Sequence, residues 1–174
     1  MNKKLEINKE KAVAFTGNRK LNAPQGVKIN NLKFEIYKRA YALIEEAYHD
    51  GKRQFLSGMA QGFDMIAAEA VLKLRDEYDD VELIAVIPFE GQADNFSYED
   101  QSRYDRILDE ADQIIATSPI YSGAKVYYIR NNYLADNANQ IIAYSDGNGR
   151  GSAYTLKRAI DRGAKSYNIF DNLR

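Results

Sequence analysis

Cysteine is absent from this 174-residue chain, and histidine occurs once. Without cysteine there is no disulfide, no thiolate metal site and no Cys nucleophile. With His49 alone, imidazole metal sites and His-dependent triads have almost nothing to be built from, so no metal is expected. His49 stands beside Asp50 and Gly51 and reads as a surface residue closing a helix, where a cation suits the dipole. No run of about 18 apolar residues occurs, so no membrane span is expected. The opening "MNKKLEINKEK" is charged and has no apolar stretch after it, which is not the pattern of a signal peptide. A cytoplasmic protein is the expectation. Long charge blocks are missing too: 24 Lys and Arg against 25 Asp and Glu give a net charge of -1. A large sequence-independent nucleic-acid surface usually needs a basic stripe, which makes a long nucleic-acid footprint the less favoured reading.

What the chain does contain is an alternation. Short apolar runs predict strands at Ala12 to Gly17, in "QFLSG" from Gln54, at Val81 to Phe89, Gln113 to Ser118, Gln140 to Ser145 and Lys165 to Phe170. Helical periods lie between them: Leu32, Ile36, Ala40, Leu43 and Ala47 up to Gly51, then Ala67 to Tyr78, Tyr104 to Ala111, residues 128 to 137, and Leu156 to Ile160 up to Gly163. "GQADNFSYEDQ" (Gly91 to Gln101) reads as a loop. Apolar strands alternating with helices predict a doubly wound α/β domain, with a mostly parallel sheet and helices on both faces. One such domain, residues 12–174, follows a polar N-terminal segment, residues 1–11.

In such sheets ligands bind beyond the carboxyl ends of the strands. Four segments sit there. "TGNRK" carries Gly17, Asn18 and Arg19, whose guanidinium can hold a phosphate through two hydrogen bonds, with Lys20 beside it. "SGMAQGFD" carries Ser57, Gly58, Gln61, Gly62 and Asp64 and opens a helix; its glycines would let a ligand approach bare backbone. "PFEGQADN" begins at Pro88. "SDGNGRGS" carries Gly149, Gly151 and Ser152 and also opens a helix, whose N-terminus favours an anion. Each segment alone fits a plain turn, and Asp64 also fits a helix N-cap. Their convergence on one edge points to a phosphate-bearing ligand. The dinucleotide fingerprint and the Walker pattern are both absent.

"SGMAQGFDMIAAEA" resembles the Ser-Gly-x-Ala-x-Gly-hydrophobic-Asp signature of the SLOG superfamily, a Rossmann-like group that includes DprA, the LOG enzymes and YpsA. "TGNRK", "RNNYLADNANQIIAYSDG" and "GNGRGSAYTLKRA" resemble its other motifs in family order, and the spacing is most similar to the YpsA-like branch. The resemblance implies a pocket for a nucleotide or nucleotide-derived ligand. It also adds Arg130, Asn131 and Asp136, on the short helix before the fifth strand, and Thr155 on the last turn. Asn131 and Asp136 fit equally well as residues that stitch neighbouring loops.

LOG-type enzymes carry Pro-Gly-Gly-x-Gly-Thr-x-x-Glu at the last turn. Here the leading Pro is missing and Thr155 stands where the catalytic Glu would be. Asp64 and Glu69 are then the remaining carboxylates for N-glycosidic cleavage, with Glu69 fitting a solvated helix position as well. Three functions follow as expectations. The first is a module that senses or sequesters an ADP-ribose-type or cyclic nucleotide without any required cofactor. The second is a nucleotide hydrolase, and the third a DprA-like binder of single-stranded DNA. The 13 Tyr include Tyr127 and Tyr128, which fit base stacking or half-buried packing. A homodimer would be the commonest assembly.

Overall fold

The computed structural model describes residues 6–173. The first five residues of the polar segment 1–11 lie outside the described residues. Six strands, β1 (Ala12–Gly17), β2 (Gln54–Ser57), β3 (Glu82–Ile87), β4 (Gln113–Ala116), β5 (Gln140–Tyr144) and β6 (Lys165–Asn168), form one sheet in the order β4-β3-β2-β1-β5-β6. Every pairing is parallel. Five helices join them: α1 (Leu32–His49), α2 (Phe63–Arg75), α3 (Tyr98–Glu110), α4 (Lys125–Asp136) and α5 (Arg150–Asp161). The predicted doubly wound α/β architecture is the one observed.

Alternation along the strands explains the layering. Val13 and Phe15, Phe55, Leu83 and Ala85, Ile142 and Tyr144 point to the face packed by Ile36 and Ala40 of α1, Phe63 and Val71 of α2, and Tyr104 and Ile107 of α3. Ala12 and Ala14, Leu56, Ile84 and Val86 point to the other face, where Leu134 of α4 packs. Ile141 meets Ala135 of α4 and Ala159 of α5. Both faces are therefore covered, which is why the strands read as apolar runs.

The segment expected as a loop, Gly91 to Gln101, is ordered differently. Gln92–Asn95 forms a 3-10 turn, and α3 begins at Tyr98. Ser97 caps it by accepting a hydrogen bond from the Asp100 N–H. A Ser followed three residues later by an acidic residue is a helix-start signal that the polarity of the stretch obscured. The last strand stops at Asn168, and Ile169–Asn172 closes as a 3-10 turn.

The chain steps outward from β1 to β4, then returns to place β5 against the other side of β1. The switch point lies between the loops that follow β1 and β5. A crevice there is what this topology dictates.

Candidate functional site

At the switch point, Asn18 ties three loops together. Its N–H donates to the Tyr144 carbonyl at 2.9 Å, and its own carbonyl accepts from the Phe63 N–H at 3.3 Å. Its side-chain Oδ1 accepts from the Asp146 N–H at 2.8 Å. The glycines make this approach possible. A Cβ on Gly62 would sit 2.3 Å from the Asn18 carbonyl oxygen, and Gly62 has φ +84. A Cβ on Gly17 would strike Phe63 at 2.4 Å. One on Gly149 would strike the Asn18 amide at 2.5 Å. The glycines thus bring loops against one another, in keeping with the plain turn that each segment alone also fits.

Asp64 does not cap α2. Gly62 occupies the N-cap position with no side-chain bond, and Asp64 is buried in the first turn. Its Oδ2 accepts from the Ala60 N–H at 3.3 Å, while Oδ1 has no partner within the protein. Burial pushes this carboxyl up to about 6, against the opposing pull of Arg130, the Ala60 N–H and Arg19. Ser57, also buried, donates to the Asp64 carbonyl at 2.8 Å and fixes the turn. Met59 between them is buried with φ 58, a left-handed conformation rare for such a side chain.

Arg130 reaches under this turn. Its guanidinium donates to the Gly58 carbonyl, to Gln92 Oε1 at 3.2 Å and to Asn131 Oδ1 at 2.8 Å. Gly58 is wedged between Arg130 and Asp64, with room for no side chain: a Cβ would lie 2.8 Å from Arg130 Nη1. Gln92 is a site residue that sequence reasoning missed, because it sat in a stretch read as loop. Arg150 was missed as well; it belongs to the glycine-rich turn but was passed over for its neighbours.

Two cavities flank the Arg19–Lys20 segment. One, of about 450 Å³, is lined by Asn18, Arg19, Lys20, Arg150, Gly151 and Ser152, among other wholly polar or glycine residues. The other, of about 610 Å³, lies between the starts of α1, α2 and α3 and is lined by Leu21, Lys33, Gln61, Gly62, Ile66 and Arg103 as well as Arg19 and Lys20. The Arg19 guanidinium rests 5.4 Å from the Tyr127 ring centroid. Tyr127 packs with Phe89 and the exposed Tyr121, a patch just beyond β3 and β4.

The remaining expected residues divide. Ser152 and Thr155 turn inward, their hydroxyls donating to the carbonyls of Gly149 and Gly151 at 3.2 and 2.8 Å. Pro88 contributes a carbonyl to the Ser118 N–H at 3.0 Å. Glu69 is held by Arg103 and Arg106 on the flank of α2 and α3. Asp136 lies away from the cleft. It is the last residue of α4, at the opposite edge of the sheet, and it pairs with Arg158 and Arg162 of α5 and its cap at 2.9 and 2.8 Å. It lies five positions beyond Asn131, which on a helix means about 7.5 Å along the axis and roughly 140° around it. Among the described residues, no group of three or more His, Asp or Glu side chains is gathered for a metal, and no helix is long and apolar enough to cross a membrane.

A parallel sheet in this order, with glycine-built turns meeting at the switch point, defines a Rossmann-like domain of the kind that DNA processing protein A contains. The structure of that protein from Streptococcus pneumoniae superposes with a TM-score of 0.58 at 20% identity, over 95% of this chain and 53% of the other, so this chain spans about half its length. A structure of the Helicobacter pylori protein, concerned with its single-stranded DNA binding mode, gives 0.58 at 18% identity over 93% and 78%. The chain belongs to the YspA SLOG family, whose model matches residues 20–171. A UPF0398 protein of Bacillus pumilus (strain SAFR-032) is 28% identical over 130 residues, 74% of this chain and 68% of the relative. The SPbeta prophage-derived protein YoqJ of Bacillus subtilis (strain 168) is 28% identical over 143 residues, 75% and 83% respectively.

Proposed function

We propose that this domain binds a nucleotide or nucleotide-derived ligand, with a phosphate in the polar cavity between the first turn and the start of α5. The observation that carries this reading is the placement of the unpaired arginines. Among the described residues, Arg19, Arg130 and Arg150 are the arginines without an ion-paired carboxylate; Arg39, Arg53, Arg75, Arg103, Arg106, Arg158 and Arg162 all have one. All three unpaired ones sit at the carboxyl edge. α5 has Gly149 as its N-cap there, with no side-chain cap bond, which leaves its first N–H groups for an anion. Asp64, whose unpartnered oxygen is enclosed, and Asn131 line neither cavity; the Asn22 and Asn148 amides in the polar one are the groups left for ribose hydroxyls. Of the positions weighed for catalysis, Thr155 donates its hydroxyl to the backbone and Glu69 is occupied by two arginines, which favours sensing or sequestration; Asp64 is the one carboxylate left for turnover.

A second reading is single-stranded DNA binding. The Helicobacter pylori neighbour is described with that ligand, and the exposed Tyr121 beside Tyr127 offers rings on which bases stack. Thermal unfolding across AMP, NAD, ADP-ribose and its cyclic forms, cyclic dinucleotides and a short single strand separates the readings. A ligand at one hundred times its Kd stabilises the fold by about 2.7 kcal/mol. For a domain of this size that is a rise of roughly 5–11 °C. The expected result is a rise with one small nucleotide that disappears in Arg19→Ala, with the ligand recovered intact by chromatography. Recovery of free base would instead establish hydrolysis. Stabilisation by the strand alone, weakening steeply with salt, would establish the DNA reading. No stabilisation by any probe would remove the binding reading.

A further inference from the structure

The two cavities differ in chemistry, and that difference bears on what kind of nucleotide fits. The cavity beside α5 has no apolar side chain in its lining: Asn18, Arg19, Lys20, Asn148 and Arg150 belong to it, as does Asp146, whose Oδ1 accepts from the Asn148 N–H at 2.8 Å. It suits a phosphate and the sugar edge next to it. The cavity beside α1 is mixed. Leu21, Leu32 and Ile66 supply an apolar wall of the kind a base needs. Gln61 and Asp100, joined at 2.9 Å, supply an amide and a carboxylate, the groups that read base edges. Lys33, which has no ion-pair partner among the described residues, adds a second centre of positive charge. At about 450 and 610 Å³, each cavity is within the size range of a small-molecule site in its own right. The Arg19–Lys20 segment lines both, so a phosphate crossing from one to the other would stay in contact with the same two cations.

We infer that the ligand has two nucleotide units, one with its base against the apolar wall of the cavity beside α1, the other with its phosphate and sugar in the polar cavity beside α5 and its base turned to solvent, with the bridging phosphate over the Arg19–Lys20 segment: a dinucleotide rather than a mononucleotide. This rests on the binding reading given above. It goes further by assigning Lys33, Gln61 and Asp100 as the residues that select the second unit.

Calorimetric titration of the full chain with AMP, GMP, the 5′-phosphorylated dinucleotides pApA and pGpG, and an oligoadenylate about twelve nucleotides long tests it. One dinucleotide should bind at least about ten-fold more tightly than its mononucleotide, because the second unit binds intramolecularly. Lys33→Glu should abolish that advantage. An acidic residue in the first turn of α1 suits the helix dipole, so this variant keeps its fold. Arg150→Glu should weaken both. Equal affinity for mono- and dinucleotide would overturn the inference and leave the binding reading standing. So would a Lys33→Glu variant that keeps the advantage. Affinity that goes on rising up to the longer strand would make the groove a path for a polymer and overturn it too. If none of these probes binds and the thermal panel is also silent, the binding reading itself fails.

Discussion

Asp64 and Asp136 stand at opposite edges of the same sheet. Asp136, at the amino edge, accepts two hydrogen bonds of 2.9 Å from Arg158 and pairs with Arg162 at 2.8 Å. These arginines hold its carboxyl below the usual carboxylate range. Asp64, at the carboxyl edge, is buried with one long backbone hydrogen bond and one oxygen without a partner. Burial holds it above that range. A saturated carboxylate is explained by the stability it contributes. An unsatisfied buried one works against the fold, so folding alone does not account for it. The glycines repeat the contrast. Gly62, at the cleft, and Gly163, in the turn before β6, share a positive φ, +84 and +88. Only Gly62 has backbone atoms pressed against the place a Cβ would occupy; Gly163 faces open space.

The largest effect should come from that pair. Gly163→Ala meets conformational strain alone, about 1 kcal/mol. Gly62→Ala meets strain of its own at φ +84 and ψ -123 plus a collision with the Asn18 and Arg19 carbonyls, and should lose roughly 3 kcal/mol or more. Denaturant midpoints of the two variants measure the difference directly. Equal losses would mean that the cleft loops separate easily, and the contrast between the edges would collapse.

The next effect is a pH dependence. Asp64 titrates higher in the folded chain than in the unfolded one, so its protonation favours the fold. Its contribution is full below the unfolded value of 3.8 and is lost as pH rises through about 6. The rise from 3.8 to about 6 corresponds to about 3 kcal/mol. Asn does not titrate. The stability of the wild type relative to Asp64→Asn should therefore fall by that order between about pH 4 and pH 7, whatever the offset left by Arg130. Asp136→Asn should show the opposite sign. Its carboxyl is depressed, so its contribution is present above the unfolded value and is lost as pH falls through the folded one. Parallel pH profiles for the two variants would refute the assignment of roles.

Much of this was legible in the sequence because the signals were local. Apolar runs such as "ELIAVI" (residues 82–87) and the stops at Gly51 and Gly163 depend on neighbours a few residues away, and they carried the sheet, the helices and the edge at which the glycine turns meet. The errors were about distance and direction. Gln92 bonds Gly58 and Arg130, far along the chain, and no period marks such a residue. Asp64 had the right type and place for a cap, but the turn at Gly62 put it one residue inside the helix with its carboxyl facing inward. Asp136 follows Arg130 and Asn131 so closely that the motif appears continuous. The helix then carries it along α4 to the other edge, because spacing in sequence becomes rise and rotation once the segment is helical.

Asp136→Ala should give the smallest effect and the most discriminating one. Its carboxylate is about one-third exposed, at 33%, as Arg158 is at 27% and Arg162 at 48%. Pairs this accessible are screened by water and salt, so the loss should be about 0.5–1 kcal/mol and should shrink further at high ionic strength. The bidentate geometry with Arg158 sets the upper end of that range. Nucleotide affinity should not change, since the residue is on the far side of the sheet from both cavities, with Lys9 among the charges that act on it. If affinity falls by ten-fold or more while the unfolding midpoint barely moves, Asp136 acts on the cleft through α4, and the division between a structural edge and a binding edge no longer holds.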